Sequence, residues 1–225
     1  MPQPREVHRT IAPRDFIGKG DSVDTKSEKV PQNAVQAVNF HDLPAKYIGY
    51  RIHEYGQIGV KAKAWLDKPL SNLYLHGLTG GRKTSLAIAT LIEYRQRWAN
   101  ERYQKWLQRF DNWSEYEDRP AGGGIFLPMY DAVGIFRDFK TDAALQARAR
   151  FRSIDLLIID DIGKHRQTDH IVETLVHIFH ARHDQNKRTI ITSNMTLQEC
   201  GNALGEATAR RIAEGVVLKM DRVKK

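Results

Sequence analysis

One cysteine, Cys200, stands in 225 residues, so no disulfide can close within the chain, as expected for a protein of the reducing cytoplasm. Long apolar runs are missing too. Leu156 to Ile159 is among the longest, far below the roughly 20 residues a membrane helix needs. The opening Met-Pro-Gln-Pro-Arg-Glu has neither the basic start nor the apolar core of an export signal. These absences argue against a disulfide-stapled secreted scaffold and a membrane span. With 41% hydrophobic and 28% charged residues, the chain is expected to be soluble and globular, long enough for one full-sized core. Acidic residues are outnumbered 35 to 27 by Lys and Arg, a formal charge of +8. That excess favours a polyanionic partner, either nucleic acid or nucleotide phosphates.

Residues 1–37 are polar, contain Pro2, Pro4, Pro13 and Pro31, and carry the charged stretch from Asp21 to Lys29. This composition predicts a flexible N-terminal arm, with a compact domain over 38–225. Tyr47 to Leu66 is apolar at helical spacing until Asp67, Pro69 and Ser71 break it. Leu73 to Leu75 then predicts a strand, and Ser85 to Ala89 begins a helix. Ala99, Tyr103, Trp106, Phe110 and Trp113 keep three- and four-residue spacing, so that helix extends past residue 105. After Gly122-Gly123-Gly124 come a strand at Ile125–Leu127, a helix over Tyr130–Phe139, a buried strand at Ile154–Ile159, a helix over His170–His183, and a strand at Thr189–Thr192. Strands alternating with helices predict an α/β fold with a mostly parallel sheet flanked by helices.

Between the first strand and its helix lies Gly-Leu-Thr-Gly-Gly-Arg-Lys-Thr, residues 77–84, which nearly matches the phosphate-binding pattern G-x-x-x-x-G-K-[ST]. Backbone amides of Gly77, Thr79, Gly80 and Gly81, with the stretch from Arg82 to Ser85, would cradle the phosphates of ATP. Lys83 would reach the β and γ phosphates, and the Thr84 hydroxyl would ligate Mg2+. Arg82 stands where the pattern has its second glycine. A side chain there is penalised by about 1 kcal/mol or more if the backbone turns left-handed. Gly80 and Gly81 could move the tight turn one residue earlier, and the charge of Arg82 could favour a triphosphate.

Asp160 and Asp161 follow a hydrophobic strand, where a parallel sheet presents its ligands. Asp160 would hold Mg2+, and Asp161 would orient or deprotonate the attacking water. Thr189-Ile190-Ile191-Thr192-Ser193-Asn194 ends a further strand in small polar residues, pointing Asn194 at the γ phosphate or the water; a plain turn former is the alternative.

Through these three blocks, above all Leu-Leu-Ile-Ile-Asp-Asp-Ile-Gly from Leu156 and Thr-Ile-Ile-Thr-Ser-Asn-Met from Thr189, the chain resembles the DnaC/IstB-like family of AAA+ ATPases over about residues 45–222. The resemblance implies a P-loop AAA+ core with its lid reduced or absent and a long helical insertion near 95–120, and oligomers whose ATP sites are completed at subunit boundaries. It implies that Asp160 holds magnesium, Asp161 is the catalytic base and Asn194 the sensor-1 residue. Arg211, in Leu204-Gly205-Glu206-Ala207-Thr208-Ala209-Arg210-Arg211-Ile212, would be the arginine finger. Arg222 falls at the sensor-2 position. Ala207 replaces an arginine that the family usually has, and Arg210 could substitute for it.

The implied function is loading or positioning a replicative helicase on DNA. Two alternatives are a transposition helper that activates a transposase and a non-hydrolysing adaptor that keeps only the fold. Arg95, Arg97, Arg102, Lys105 and Arg109, with Trp98, Tyr103 and Trp106, are either a DNA-contacting face or an amphipathic packing helix. His170, His177, His180 and His183 spread over different helical faces, and no metal site is expected there.

Overall fold

The computed structural model describes residues 42–68, 72–109, 123–138, 140–163 and 168–221, with the side chains of 102–109 excepted. The expected N-terminal arm and residues 110–120 of the expected 95–120 insertion lie outside these residues.

Five strands, β1 (Asn72–His76), β2 (Ile125–Pro128), β3 (Leu156–Ile162), β4 (Arg188–Ser193) and β5 (Val216–Lys219), form one sheet in the order β2-β3-β4-β1-β5. All the described pairings are parallel. In-register pairing aligns side chains into rows across the sheet, and successive rows face opposite sides. Phe126, Ile158, Ile190, Leu73 and Val216 make one row, while Leu127, Ile159, Ile191, Tyr74 and Val217 make the next.

The first row packs under α1 (Gly56–Leu66) and α2 (Lys83–Arg109) through Trp65, Leu86, Ile88, Leu91 and Ile92. The second packs under α3 (Met129–Arg137), α4 (Asp142–Ser153), α5 (Asp169–Asp184), α6 (Leu197–Leu204) and α7 (Glu206–Ala213). Both faces of the sheet are therefore covered, which is why its central strands are apolar without alternation. Each fully buried Leu or Ile contributes about 1.5–3 kcal/mol. Among the described residues, no helix is long and apolar enough to cross a membrane.

Several boundaries differ from the sequence expectation. The third strand begins at Leu156, because Ile154 caps α4 by donating its N–H to Arg150 O. It then runs through Asp160 and Asp161 to Ile162, so the carboxylates lie inside the strand, not beyond it. The helix expected to reach Phe139 stops at Arg137, where Asp138 turns extended; Phe139 itself is outside the described residues. Helices α4 and α6 and strand β5 were not anticipated. Thr196 and Glu199 form a reciprocal capping box that starts α6, a pattern visible in Thr-Leu-Gln-Glu. β5 is a four-residue edge strand with alternating exposure, too short to carry a period. It reaches β1 through Gly215, where a Cβ would fall 2.0 Å from Asn72 O.

Two arginines of the basic helix serve packing. Arg95 is buried and forms a two-pronged pair with Asp42 while donating to Gly124 O; Arg97 binds Glu93 and Asp67. Trp98 lies against Gly123. Arg102, Tyr103, Lys105, Trp106 and Arg109 fall outside the described side chains.

Candidate nucleotide site

The loop of residues 77–82 leaves the carboxyl end of β1 between β4 and β5, the kind of crevice where open α/β sheets bind ligands. Gly77 (φ 137°) and Gly81 lie on the backbone just past β5: a Cβ would meet Met220 O at 2.3 Å and 2.8 Å respectively. Met220 is held there by donating its N–H to His76 O at 2.7 Å. Only glycine allows this approach.

Gly80 has φ 89°, but the turn has not moved away from Arg82, which itself takes φ 58°. The left-handed torsion thus stays at the position where the pattern has glycine. The Arg82 guanidinium turns away from the loop, to 4.5 Å from the Tyr55 ring centre and 5.2 Å from that of Tyr50, with Glu54 at 3.8 Å. Its charge is directed at this aromatic pair. Arg82 O accepts from Leu86 N–H and the Ser85 hydroxyl, starting α2.

Lys83 is buried and donates to Gly77 O (2.8 Å), Leu78 O (3.0 Å) and Asn194 Oδ1 (2.9 Å). Its three ammonium protons are matched by three neutral oxygens. Burial lowers its pKa, against the pull of Asp161 and Asp160. A phosphate entering the loop would offer this ammonium a charged acceptor in their place.

Asp160 Oδ1 accepts from the Thr84 hydroxyl at 2.8 Å and the Thr192 hydroxyl at 2.6 Å. Burial raises its pKa even so, and the two hydroxyls oppose that shift. Pairing of β3 with β4 slips by one residue between Ile159 and Ile162, and Asp161 takes φ 66°. This bulge re-aims the two carboxylates. Asp160 turns into the Thr84–Thr192 pair; half-buried Asp161 donates its backbone N–H to Thr192 Oγ1 at 2.8 Å.

Asn194 follows β4 and is exposed. Its position is set by Ser193, which donates to Ile162 O (2.7 Å) and accepts from Met195 N–H (3.0 Å), while Tyr74 donates to Met195 O (2.8 Å). Thr192, Ser193, Tyr74 and Met220 were not identified from sequence as site residues. The polar end of the Thr-Ser-Asn block was a signal for Thr192, whereas Tyr74 and Met220 look like ordinary strand residues.

Lys83, Thr84, Asp160, Asp161 and Asn194 are thus brought together, with Thr79, Gly80 and Ser85 on the same loop and helix start. Arg211 is not among them. Its backbone O accepts from Asn72 Nδ2 at the amino end of β1, and its Nη1 lies 2.8 Å from His180 Nε2. Arg210 is exposed, Ala207 likewise, and Arg222 lies outside the described residues. The histidines of α5 have protein partners: His170 meets Phe136 O, His177 Glu173, and His183 Glu214.

The donors around Asp160 are hard oxygens, the type Mg2+ takes. Among the described residues, no three His, Cys, Asp or Glu form a metal cage. Thr84 Oγ1 and Asp160 are the protein oxygens that would share such an ion with a phosphate.

Residues 129–219 match the family model for the bacterial DnaA ATPase domain, a span that includes Asp160, Asp161, Thr192, Asn194 and Arg211 but not the phosphate loop. Within the chain, 89 residues are 33% identical to the chromosomal replication initiator protein DnaA of Pelobacter propionicus, covering 40% of this chain and 19% of that protein. The chain therefore matches only about a fifth of that relative. A crystal structure of the DnaC helicase loader superposes with TM-score 0.58 and 22% identity, covering 79% of this chain and all of the other. DnaA bound to AMPPCP and single-stranded DNA gives 0.56 and 17%, over 80% of this chain and 51% of that one. At these identities the likeness is one of architecture: the chain shares with these replication initiator and loader structures a mostly parallel α/β sheet flanked by helices.

Proposed function

We propose that the chain binds and hydrolyses ATP with Mg2+, works with DNA as a replication accessory protein, and loads or positions a replicative helicase. The observation that carries this is the joining of Lys83 to Asn194 and of Thr84 to Asp160 at the carboxyl ends of adjacent parallel strands. The helicase-loader part rests on the DnaA-domain match and on the fold shared with the DnaC loader.

Gly77 to Ser85 hold the phosphates, and Lys83 exchanges its loop carbonyls for phosphate oxygens. Thr84 and Asp160 hold Mg2+, which would neutralise charge developing on the transferred phosphoryl group. Asp161 accepts the proton of the attacking water, and Asn194 orients that water or the γ phosphate. Arg211 lies at the far end of β1 from the loop, about 13–16 Å for a five-residue strand. It cannot serve its own chain's phosphates, so it acts on the nucleotide of a neighbouring copy in an oligomer.

Hydrolysis of ATP by the purified chain at high concentration, with Mg2+, with and without single-stranded DNA, tests the enzyme. A pull-down with ATP tests the partner, and a replicative helicase is the expected catch. Nucleotide binding with no hydrolysis under any of these conditions would leave the non-hydrolysing adaptor. Recovery of a transposase instead would make the chain a transposition helper.

A further inference from the structure

We infer that His180 is a positioning residue for Arg211, holding its guanidinium in the orientation in which one copy of the chain presents it to the next. The inference rests on the proposed action of Arg211 in trans.

Arg211 sits on α7 and His180 on α5, two helices of the same layer. Arg211 Nη1 is 2.8 Å from His180 Nε2, and Thr208 Oγ1 approaches the same nitrogen at 3.4 Å. An arginine has only donors, so the contact requires His180 Nε2 to be an unprotonated acceptor with the ring proton on Nδ1. His180 is thus a neutral acceptor matched to a fixed cation. Burial lowers its pKa and the adjacent Arg211 cation lowers it further, opposed by Asp184, with His177 and His183 on the same helix also disfavouring protonation. Glu214, the nearby acid on the opposite side, is engaged by His183 at 2.8 Å. The Arg211 backbone is pinned as well, since its O accepts from Asn72 Nδ2 at 3.0 Å.

Main chain and side chain of Arg211 are therefore tied to two different elements, β1 and α5. A guanidinium that must meet phosphate across a subunit boundary gains from such pre-orientation, because less freedom is lost when the contact forms. Outer-shell partners that orient metal ligands carry about 10-fold or more in activity, and a loss of the same order is expected for a partner that orients a guanidinium.

Steady-state ATPase of the full chain, run at several protein concentrations, tests the inference with His180→Ala, His180→Gln and Arg211→Ala. Gln can place an amide oxygen near the Nε2 position without titrating. Expected are a fall in kcat of about tenfold for His180→Ala with KM for ATP within about twofold, recovery for His180→Gln, and loss in His180→Gln of the part of the acid limb that His180 protonation causes. The double variant His180→Ala/Arg211→Ala should be no worse than Arg211→Ala alone. If Arg211→Ala lowers kcat while His180→Ala does not, the positioning role is wrong and the action of Arg211 in trans stands. If Arg211→Ala leaves kcat unchanged, the trans action itself is wrong, and the role of His180 falls with it. Equal loss in His180→Ala and His180→Gln, with lowered melting temperature in both, would reduce His180 to a packing residue.

Discussion

Lys83 Nζ lies 2.9 Å from Asn194 Oδ1, joining the start of α2 to the residue after β4 across 111 residues of sequence. The bond is possible because β1 and β4 are neighbours in register, His76 beside Ser193, so whatever follows each strand emerges at the same edge. The same edge brings Asp160 to Thr84 and Thr192, whose hydroxyls both donate to its Oδ1.

Removing Lys83 should abolish nucleotide binding, whereas Asn194→Ala should preserve binding and lower kcat by about 10- to 100-fold, as for a group that acts on the transition state. Titration with a fluorescent ATP analogue beside steady-state hydrolysis separates the two. Equal loss of affinity in both variants would count against a water- or γ-phosphate-orienting role for Asn194.

Asp160 is a buried carboxylate at the proposed Mg2+ position. Its folded-state pKa is raised by burial, so the stability linked to its protonated form is present below the unfolded carboxylate pKa of about 3.9 and is lost as pH rises through the higher folded value. At pH 7 the buried carboxylate is a cost. Asp160→Asn keeps an oxygen for the Thr84 and Thr192 hydroxyls and should raise the melting temperature at pH 7 by about 2–4 °C while removing hydrolysis. The gain should shrink as pH falls and the native Asp160 protonates. Thermal melts across pH check both the sign and the trend.

Arg82→Gly exchanges two opposing effects of about 1 kcal/mol each. It relieves a left-handed torsion on a residue with a side chain, and it loses the stacking of the guanidinium against Tyr55 and Tyr50. Net stability should change little. Affinity for ATP should rise several-fold, because the loop can close more tightly on phosphate. Tyr55→Leu, which removes the stacking but keeps the torsion, should lower stability; calorimetric titration and melting of both variants decide the matter.

Arg182 is fully buried, far from the loop, and donates to Phe151 O, Ile154 O, Arg188 O and Thr189 Oγ1. Burial pulls its pKa down to about 10, yet it stays charged at neutral pH. Arg182→Ala leaves several buried carbonyls without donors and should cost about 3 kcal/mol or more, with KM for ATP unchanged in the protein that remains folded. A loss of unfolding free energy in denaturant titration of less than a third of that would show that water replaces the guanidinium.

The strands entering and leaving the site were legible because buried parallel strands are continuous apolar runs, as in Leu156 to Ile159, and the phosphate loop because its glycines and Lys83 keep a fixed spacing. β5 carried no such signal, and neither did the role of Tyr74, whose hydroxyl fixes Met195. Local pattern registers what a residue does to its own segment. It is silent about partners that arrive from elsewhere in the chain.

The sequence by itself determined the parallel α/β class, the loop and the residue types gathered at the strand ends. Only the tertiary structure decided that Asp160 and Asp161 sit in a bulge, with Thr192 bonded to the carboxylate of one and the backbone N–H of the other, since a slip of one residue against β4 depends on the neighbouring strand. It also decided that Arg82 keeps the left-handed turn with its charge among Tyr50, Tyr55 and Glu54, and that Arg211 rests on His180 at the opposite end of β1 from Lys83. Those relations follow from how strands pair and helices stack, and a one-dimensional pattern does not encode them.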